Sequence, residues 1–193
     1  MPSFHNGNVE IAYLDEGEGD PIVLVHGFAS SKNVNWVYPT WVSDLRKDGR
    51  RVIALDNRGH GDSEKLYDSA DYEIAIMASD VIALLDHLGI ERADIMGYSL
   101  GSRMTAILAR EQPQRLRSAI LGGIGIGLIE GGGPGESVAV APQRGGPAGH
   151  HPVRLLVGGK AVHEHDRIAL AFVEIGDRDV SIVECRHELE AAR

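Results

Sequence analysis

A serine lies between two glycines in residues 97–101, which read Gly-Tyr-Ser-Leu-Gly. A short apolar run typical of a strand, 93–96, precedes this segment, and a run typical of a helix, 102–111, follows it. A side chain at the tip of so sharp a strand-to-helix turn needs close backbone packing on both sides, and the two glycines leave room for it. At the start of a helix the N–H of Leu100 is free to face negative charge. The segment therefore predicts Ser99 as a nucleophile and the Leu100 N–H as an oxyanion donor.

Two further turns follow apolar runs upstream. The run 21–25 has the length and branching of a buried parallel strand, and it ends in His-Gly-Phe at 26–28. The run 51–55 is similar, and it is followed by Asp-Asn-Arg-Gly-His-Gly-Asp-Ser at 56–63. A glycine after such a strand lets the chain turn sharply and aim the main-chain N–H of Phe28 into a site at the strand ends.

Taken in this order, the His-Gly-x turn, the Asp-x-Arg-Gly-x-Gly-x-Ser loop and the serine turn resemble the α/β-hydrolase superfamily over residues 9–141. The resemblance implies a mostly parallel sheet with helices on both faces. It implies Ser99 as the nucleophile and the N–H groups of Phe28 and Leu100 as the oxyanion hole. Such enzymes work without a cofactor, so we expect neither a cofactor nor a metal, and no metal-ligand spacing is present in the sequence.

The resemblance also implies where the partners of the serine lie. A histidine just after the final strand is the general base in this family, which assigns that role to His187. The acid is displaced, because Ala161 stands where the family carries aspartate, and Glu164 or Asp166 is the nearest carboxylate. The other histidines that could serve as base in this part of the chain are His150, His151, His163 and His165.

Three more residues of reactive types are interpreted as structural. His26 and His60 belong to the two upstream turns, which favours a scaffold role over proton transfer. Cys185 is the only cysteine, so no internal disulfide can form, and its strand-like setting favours a packed thiol over a nucleophile.

Short apolar runs alternate with amphipathic runs along the chain, which predicts parallel strands covered by helices on both faces. The first two strands are expected to form a hairpin through residues 15–20, and Gly89 is expected to end a helix. The predicted strands are 9–14, 21–25, 51–55, 93–96, 116–121, 152–159 and 179–184, and the predicted helices are 36–47, 72–88, 102–111 and 165–173.

Residues 122–152 differ from the rest, with eleven glycines and four prolines in 31 residues. Such a stretch cannot bury enough apolar surface to offset its ordering entropy, so we interpret it as a flexible connection in place of a cap. The prediction is one capless, C-terminally shortened domain over 1–193, with an open site. Only six residues follow His187, and the tail 142–193 is either inherited from the family or rearranged.

The composition excludes some classes of partner. The chain has 193 residues, is 43% apolar and carries a net charge of -9. That charge argues against nucleic acid and against an anionic membrane surface as partners. No run resembles a signal peptide or a membrane span, so a cytoplasmic location is expected.

The sequence thus predicts a carboxylic ester hydrolase, an esterase that cleaves small, short-acyl ester substrates through an acyl-enzyme intermediate. Serine at the turn, rather than aspartate, speaks against a haloalkane dehalogenase or an epoxide hydrolase. The alternative is a catalytically silent ligand-binding or interaction protein derived from a truncated α/β-hydrolase. An uncovered sheet face near the C-terminus would then favour a homodimer.

Overall fold

The computed structural model describes residues 1–124 and three further strands at 153–159, 169–175 and 180–185. The described strands form one nine-stranded sheet in the order β1-β2-β4-β3-β5-β6-β7-β8-β9. Their bounds are β1 Ser3–Asn6, β2 Val9–Glu16, β3 Pro21–Val25, β4 Arg51–Leu55, β5 Ala93–Tyr98, β6 Leu116–Gly122, β7 Val153–Gly159, β8 Ala169–Ile175 and β9 Val180–Cys185.

The centre of the sheet is parallel. Strands β4, β3, β5, β6 and β7 run in the same direction, whereas β1, β2, β8 and β9 pair antiparallel at the two ends. The carboxyl ends of β3, β4 and β5 therefore meet at one edge, where the chain leaves each strand for a loop or helix. The predicted α/β fold is confirmed, with a parallel core and antiparallel ends.

Helices cover both faces of the sheet. The described helices are α1 Trp41–Lys47, α2 Ile74–His87 and α3 Leu100–Glu111, and a short π-helical turn, Asn33–Val37, precedes α1. Successive side chains of a strand point to opposite faces. One face of β3 and β4 packs against α2 and α3, and the other packs against Trp36 and Val42. The residues on the first face are Val23, Val25, Ile53 and Leu55, and those on the second are Ile22, Leu24, Val52 and Ala54.

Two predicted helices are shorter than expected. The predicted helix 36–47 is divided between the π-helical turn and α1, because Thr40 adopts a left-handed φ of 71° that no helix can contain. The predicted helix 72–88 starts two residues later, after a 3₁₀ turn at Ser69–Tyr72. It ends before Gly89, whose φ is 65°, as predicted.

Two predicted arrangements are wrong. Strands β2 and β3 do not form a hairpin, because β4 lies between them and pairs antiparallel with β2 and parallel with β3. Local turn residues do not reveal that β4 fills this position through a long crossover. The predicted helix 165–173 is also wrong from 169 onward, because β8 pairs with β7 on one side and β9 on the other. A short apolar run has no decisive period, so pairing across the sheet determines its structure.

Candidate active site

Ser99 stands alone between β5 and α3. Its backbone has φ 51° and ψ -108°, a left-handed conformation that L-residues other than glycine rarely adopt. Holding a serine there costs on the order of 1–3 kcal/mol, and such strain persists only where surrounding contacts enforce it. The side chain is half-buried, and its Oγ has no hydrogen-bond partner within the described residues.

The two flanking glycines provide the space that this turn needs. A Cβ on Gly97 would clash with the carbonyl of Gly101 and would lie 2.5 Å from the nitrogen of Ser102. A Cβ on Gly101 would clash with the carbonyl of Val25 at the end of β3. The spacing of the two glycines around Ser99 therefore follows from backbone contact, as predicted.

Hydrogen bonds to the end of β6 hold the turn from the other side. The N–H of Ser99 donates to the carbonyl of Gly122 at 2.8 Å. The buried hydroxyl of Ser102 lies 2.7 Å from that same oxygen and 2.8 Å from the carbonyl oxygen of Gly97. Sequence reasoning missed Ser102, although a serine on the buried side of an apolar helix was a usable signal, since buried hydroxyls have partners.

The turn after β3 lies directly against the serine. A Cβ added to Gly27 would lie 3.4 Å from the Cβ of Ser99 and 3.2 Å from the ring of Tyr98. Of the backbone donors here, neither the N–H of Phe28 nor that of Leu100 donates a hydrogen bond to any described residue. Unpaired N–H groups beside a serine at a helix start are what an anion-binding site requires.

His26 supports this turn from within the core. Its Nδ1 lies 2.7 Å from the carbonyl oxygen of Gly27, and its Nε2 accepts the N–H of Asn57 at 2.9 Å. These partners assign the proton to Nδ1 of a neutral ring. Burial lowers the pKa of His26 from its ordinary value of 6.5 to about 4. Both ring nitrogens are occupied, which supports the scaffold role expected from the sequence.

A buried ion pair lies under the loop that follows. Nζ of Lys32 contacts Oδ2 of Asp56 at 2.5 Å, and both side chains are fully buried. The other oxygen of Asp56 accepts the N–H of Lys32 at 2.7 Å, and Nζ also contacts Asp62 at 2.8 Å. Burial alone would lower the pKa of Lys32, but hydrogen bonds to Asp56 and Asp62 outweigh it and raise that pKa above its ordinary value. The loop 56–63 is therefore structural.

The model of the alpha/beta hydrolase fold family matches residues 20–130, which is more than half of the chain. The chain belongs to the α/β-hydrolase family. The matched range contains β3, the turn at Gly27, the loop 56–63 and the serine turn, which are the features that carried the resemblance.

Several known proteins are similar to part of the chain. The chain is 38% identical over 114 residues to the 2-hydroxymuconate semialdehyde hydrolase of Pseudomonas putida, covering 58% of this chain and 39% of that protein. It is 38% identical over 122 residues to the dihydrolipoyllysine-residue acetyltransferase component of the acetoin cleaving system of the same species, covering 62% and 29%.

Among solved structures, the N-acyl homoserine lactone degrading enzyme Est816 is similar, with a TM-score of 0.59 and 36% identity over 69% of this chain and 49% of that one. Epoxide hydrolase A from Mycobacterium thermoresistibile has a TM-score of 0.58 and 26% identity, over 62% and 37%. The chain thus spans less than half the length of each of these four proteins.

The remaining predicted site residues of this α/β-hydrolase lie outside the described residues. These are His187, Glu164 and Asp166, along with most of the predicted connection 122–152; of that connection, Gly122 ends β6 and Gly123 and Ile124 follow it. Cys185 ends β9, one residue beyond the predicted strand 179–184.

None of the four histidines in residues 1–124 is available to Ser99. His26 and His60 have both ring nitrogens within hydrogen-bond distance of other groups. His87 ends α2, before β5 begins, whereas Ser99 follows the end of β5. His5 lies on β1, four strands from β5 in the sheet, or about 19 Å at the usual strand spacing.

Within the described parts of the chain, no group of three or more histidine, cysteine, aspartate or glutamate side chains is arranged to hold a metal ion. The helices described there are all too short or too polar to cross a membrane.

Proposed function

We propose that the chain carries the nucleophile and the oxyanion hole of a serine hydrolase that cleaves small, short-acyl carboxylic esters through an acyl-enzyme. The observation that carries the proposal is the state of Ser99. It is held at φ 51°, next to the turn after β3 and at a helix start, and within the described residues neither its Oγ nor the N–H groups of Phe28 and Leu100 have a hydrogen-bond partner. Such strain persists only where surrounding contacts enforce it, and here it presents the serine hydroxyl at the tip of the turn, as a nucleophile requires.

In the proposed reaction, Ser99 Oγ attacks the ester carbonyl carbon while its proton passes to a histidine base. The carbonyl oxygen becomes an oxyanion, which accepts hydrogen bonds from the N–H groups of Phe28 and Leu100. Collapse of this intermediate breaks the carbon–oxygen bond, and the leaving alcohol takes the proton from the histidine. Water then attacks the acyl-enzyme, again giving its proton to the histidine, and the acid leaves as Ser99 recovers its proton.

Within this chain we place the base after residue 124, because the four histidines before residue 125 are engaged or distant. His187 remains our choice for that role, with Glu164 or Asp166 orienting it. A carboxylate fixes the tautomer of the imidazole and stabilises its cation, so weak orientation would lower the rate without removing the chemistry.

Two exposed aromatic side chains, one on the turn after β3 and one preceding Ser99 in the sequence, suggest the substrate class. Phe28 is 76% exposed and Tyr98 is 45% exposed, so an acyl or alkoxy group at the serine would meet apolar surface. The net charge of -9 disfavours anionic substrates. A lactone is a cyclic ester, and similarity to a lactone-degrading enzyme agrees with ester chemistry. We therefore expect uncharged esters with short acyl chains to be the best substrates.

The test is hydrolysis of nitrophenyl acetate by the wild-type chain, Ser99→Ala and the control Ser43→Ala. Ser43 is a half-buried serine on α1 whose hydroxyl contacts only Thr40 and Asp44 among the described residues, so its loss should leave the site intact. We expect Ser99→Ala to lose activity by roughly 1000-fold or more, and Ser43→Ala to match the wild type. Mass spectrometry of the quenched wild type should show one acetyl group on the peptide that contains Ser99.

Equal rates for the wild type and Ser99→Ala, with no acetylated peptide, would sink this proposal and favour the silent ligand-binding alternative. A series from nitrophenyl acetate to nitrophenyl decanoate then tests the chain-length preference. If kcat/KM rises with acyl length, the short-acyl assignment is wrong even though the serine chemistry stands.

A further inference from the structure

The turn that follows β3 contains three consecutive backbone N–H groups that differ in their hydrogen-bond partners. The N–H of Gly27 donates to Oδ1 of Asn35 at 2.9 Å. The N–H of Ala29 donates to Nε2 of His60 at 3.3 Å. Between them, the N–H of Phe28 donates to no described residue. Two side chains thus occupy the outer donors and leave the middle one free.

Both residues are themselves held in place. Asn35 lies in the π-helical turn, where its own N–H donates to the carbonyl of Ser31 at 3.0 Å. Nδ1 of His60 lies 2.9 Å from the carbonyl oxygen of Arg58, which assigns the proton to Nδ1 and leaves Nε2 as an acceptor. Arg58 is anchored in turn by a buried two-pronged contact with Asp80.

The turn needs such support because its backbone is strained. Ala29 has a φ of 52°, in the left-handed region. Without its hydrogen bond to His60, Ala29 would relax toward an ordinary conformation and rotate the preceding peptide groups. An oxyanion donor must lie within 2.7–3.1 Å, approximately, of the position that the oxygen reaches, so a small rotation of the Phe28 N–H weakens its contact.

We infer that Asn35 and His60 are positioning residues for the oxyanion hole, which clamp the N–H groups of Gly27 and Ala29 and so aim the Phe28 N–H at the oxyanion. The inference rests on the proposed function for its catalytic consequence. It assigns to His60 a hydrogen-bond acceptor role on the turn, in addition to the packing of its ring against those of His26 and Phe28 at 5.3 and 6.0 Å.

The test compares His60→Phe, which keeps the ring and removes the acceptor, with His60→Gln, whose amide oxygen can accept at the position of Nε2. We expect His60→Phe to lower kcat by roughly 10- to 100-fold with little change in KM, because losing one oxyanion donor outright costs about 100- to 1000-fold. It should weaken binding of a short alkyl boronic acid, which forms a negatively charged tetrahedral adduct with Ser99, by a similar factor. His60→Gln should recover most of both.

Asn35→Leu provides a second variant if His60→Phe does not fold, and it should show the same loss of kcat with unchanged KM. Folded His60→Phe or Asn35→Leu proteins that keep wild-type kcat and boronic acid affinity would overturn the inference. So would a His60→Gln variant as impaired as His60→Phe, because ring packing would then explain the defect.

Amide hydrogen exchange separates this inference from the proposed function. In the wild type we expect slow exchange at Gly27 and Ala29 and fast exchange at Phe28, with protection of Ala29 lost in His60→Phe. If Ser99→Ala is as active as the wild type, the proposed function fails and exchange alone decides whether the clamp exists. Fast exchange at all three amides in the wild type would show that Asn35 and His60 do not hold the N–H groups of Gly27 and Ala29, whatever kcat and KM are measured for the variants.

Discussion

The serine turn and the turn after β3 face each other, yet they are held by different means. Backbone contacts fix most of the serine turn, since Gly97 packs against the Gly101 peptide and the Ser99 N–H bonds to Gly122, and the Ser102 hydroxyl adds one side-chain contact. Side chains fix the turn after β3. It depends on groups more than thirty residues away along the chain, such as the N–H of Asn57, which donates to Nε2 of His26.

The difference shows which changes each turn can tolerate. A turn built by backbone contact fails when any atom is added, because the neighbouring peptide groups cannot move. A turn built by side chains fails when a charge or a hydrogen-bond acceptor is lost, and it responds to pH because the imidazole of His26, whose pKa is lowered by burial, is part of its support. The following predictions test this contrast.

The largest effect is expected from Gly101→Ala. Its Cβ would clash with the carbonyl of Val25 and lie 2.9 Å from the carbonyl oxygen of His26, and neither peptide can shift without disturbing the central strand β3. We expect the free energy of unfolding to fall by more than about 4 kcal/mol, or the protein not to fold. Urea denaturation followed by circular dichroism measures this change.

Gly7→Ala is the matched control for that prediction. Gly7 has a φ of 61° between β1 and β2, but a Cβ there would meet nothing within 4 Å. Only the left-handed backbone resists the substitution, at about 1–2 kcal/mol. Equal losses in the two variants would mean that the backbone contact around Ser99 is not what holds the serine turn.

On the side-chain-supported turn, Asp56→Asn should cause the next largest loss. It removes the charge that pairs with fully buried Lys32, and losing one member of a buried ion pair costs about 3–5 kcal/mol. We expect a loss near the lower end, about 3 kcal/mol, because Lys32 keeps its contact with Asp62. Urea denaturation at pH 7 gives the difference, and kcat should fall because the loop 56–63 supports the turn.

Asp62→Asn tests whether burial of the Lys32–Asp56 ion pair is the cause of the large loss expected for Asp56→Asn. The Asp62 side chain is 57% exposed, so its contact with Lys32 is screened by water and its loss should cost less than about 1 kcal/mol. A loss as large as that of Asp56→Asn would show that the two carboxylates share the charge of Lys32 equally.

The same contrast explains what could be predicted from the sequence. The serine turn was predictable because glycine spacing, a strand and a helix are local features that record backbone contact directly. Ser102, three residues further along the chain, was overlooked: its buried position signals that the hydroxyl has a partner, but not that the partner is Gly122, twenty residues away.

The support of the other turn was not predictable in detail. The roles of Asn35, Asn57 and Lys32 depend on where β3 and β4 bring their loops together, which is a property of strand order. The misplaced hairpin between β2 and β3 has the same cause, because insertion of β4 is not encoded in the turn residues 17–20. Local patterns thus predict elements and their ends well, whereas pairing across the sheet determines which side chains meet.

Mild acid should destabilise the protein through the side-chain-supported turn. The pKa of His26 is lowered to about 4 in the folded protein, against 6.5 when exposed, so the unfolded chain binds the proton more readily. The contribution of neutral His26 to the free energy of unfolding is complete above pH 6.5 and is lost as the pH falls toward 4. At pH 5 we expect His26 alone to have reduced the free energy of unfolding by about 2 kcal/mol.

Urea denaturation between pH 8 and 5 gives the free energy of unfolding of the wild type and of His26→Gln at each pH. The difference between their slopes against pH measures the contribution of His26, because the other titrating groups are common to both. His26→Gln should be less stable at pH 8 but should lose about 2 kcal/mol less on acidification. His5→Gln removes an exposed histidine on β1 and should follow the wild type. If His26→Gln and His5→Gln show the same pH dependence of unfolding, His26 does not make the turn after β3 acid-sensitive. Residues 97–102 of the serine turn carry no Asp, Glu, His, Lys or Arg. The two turns would then differ in packing alone.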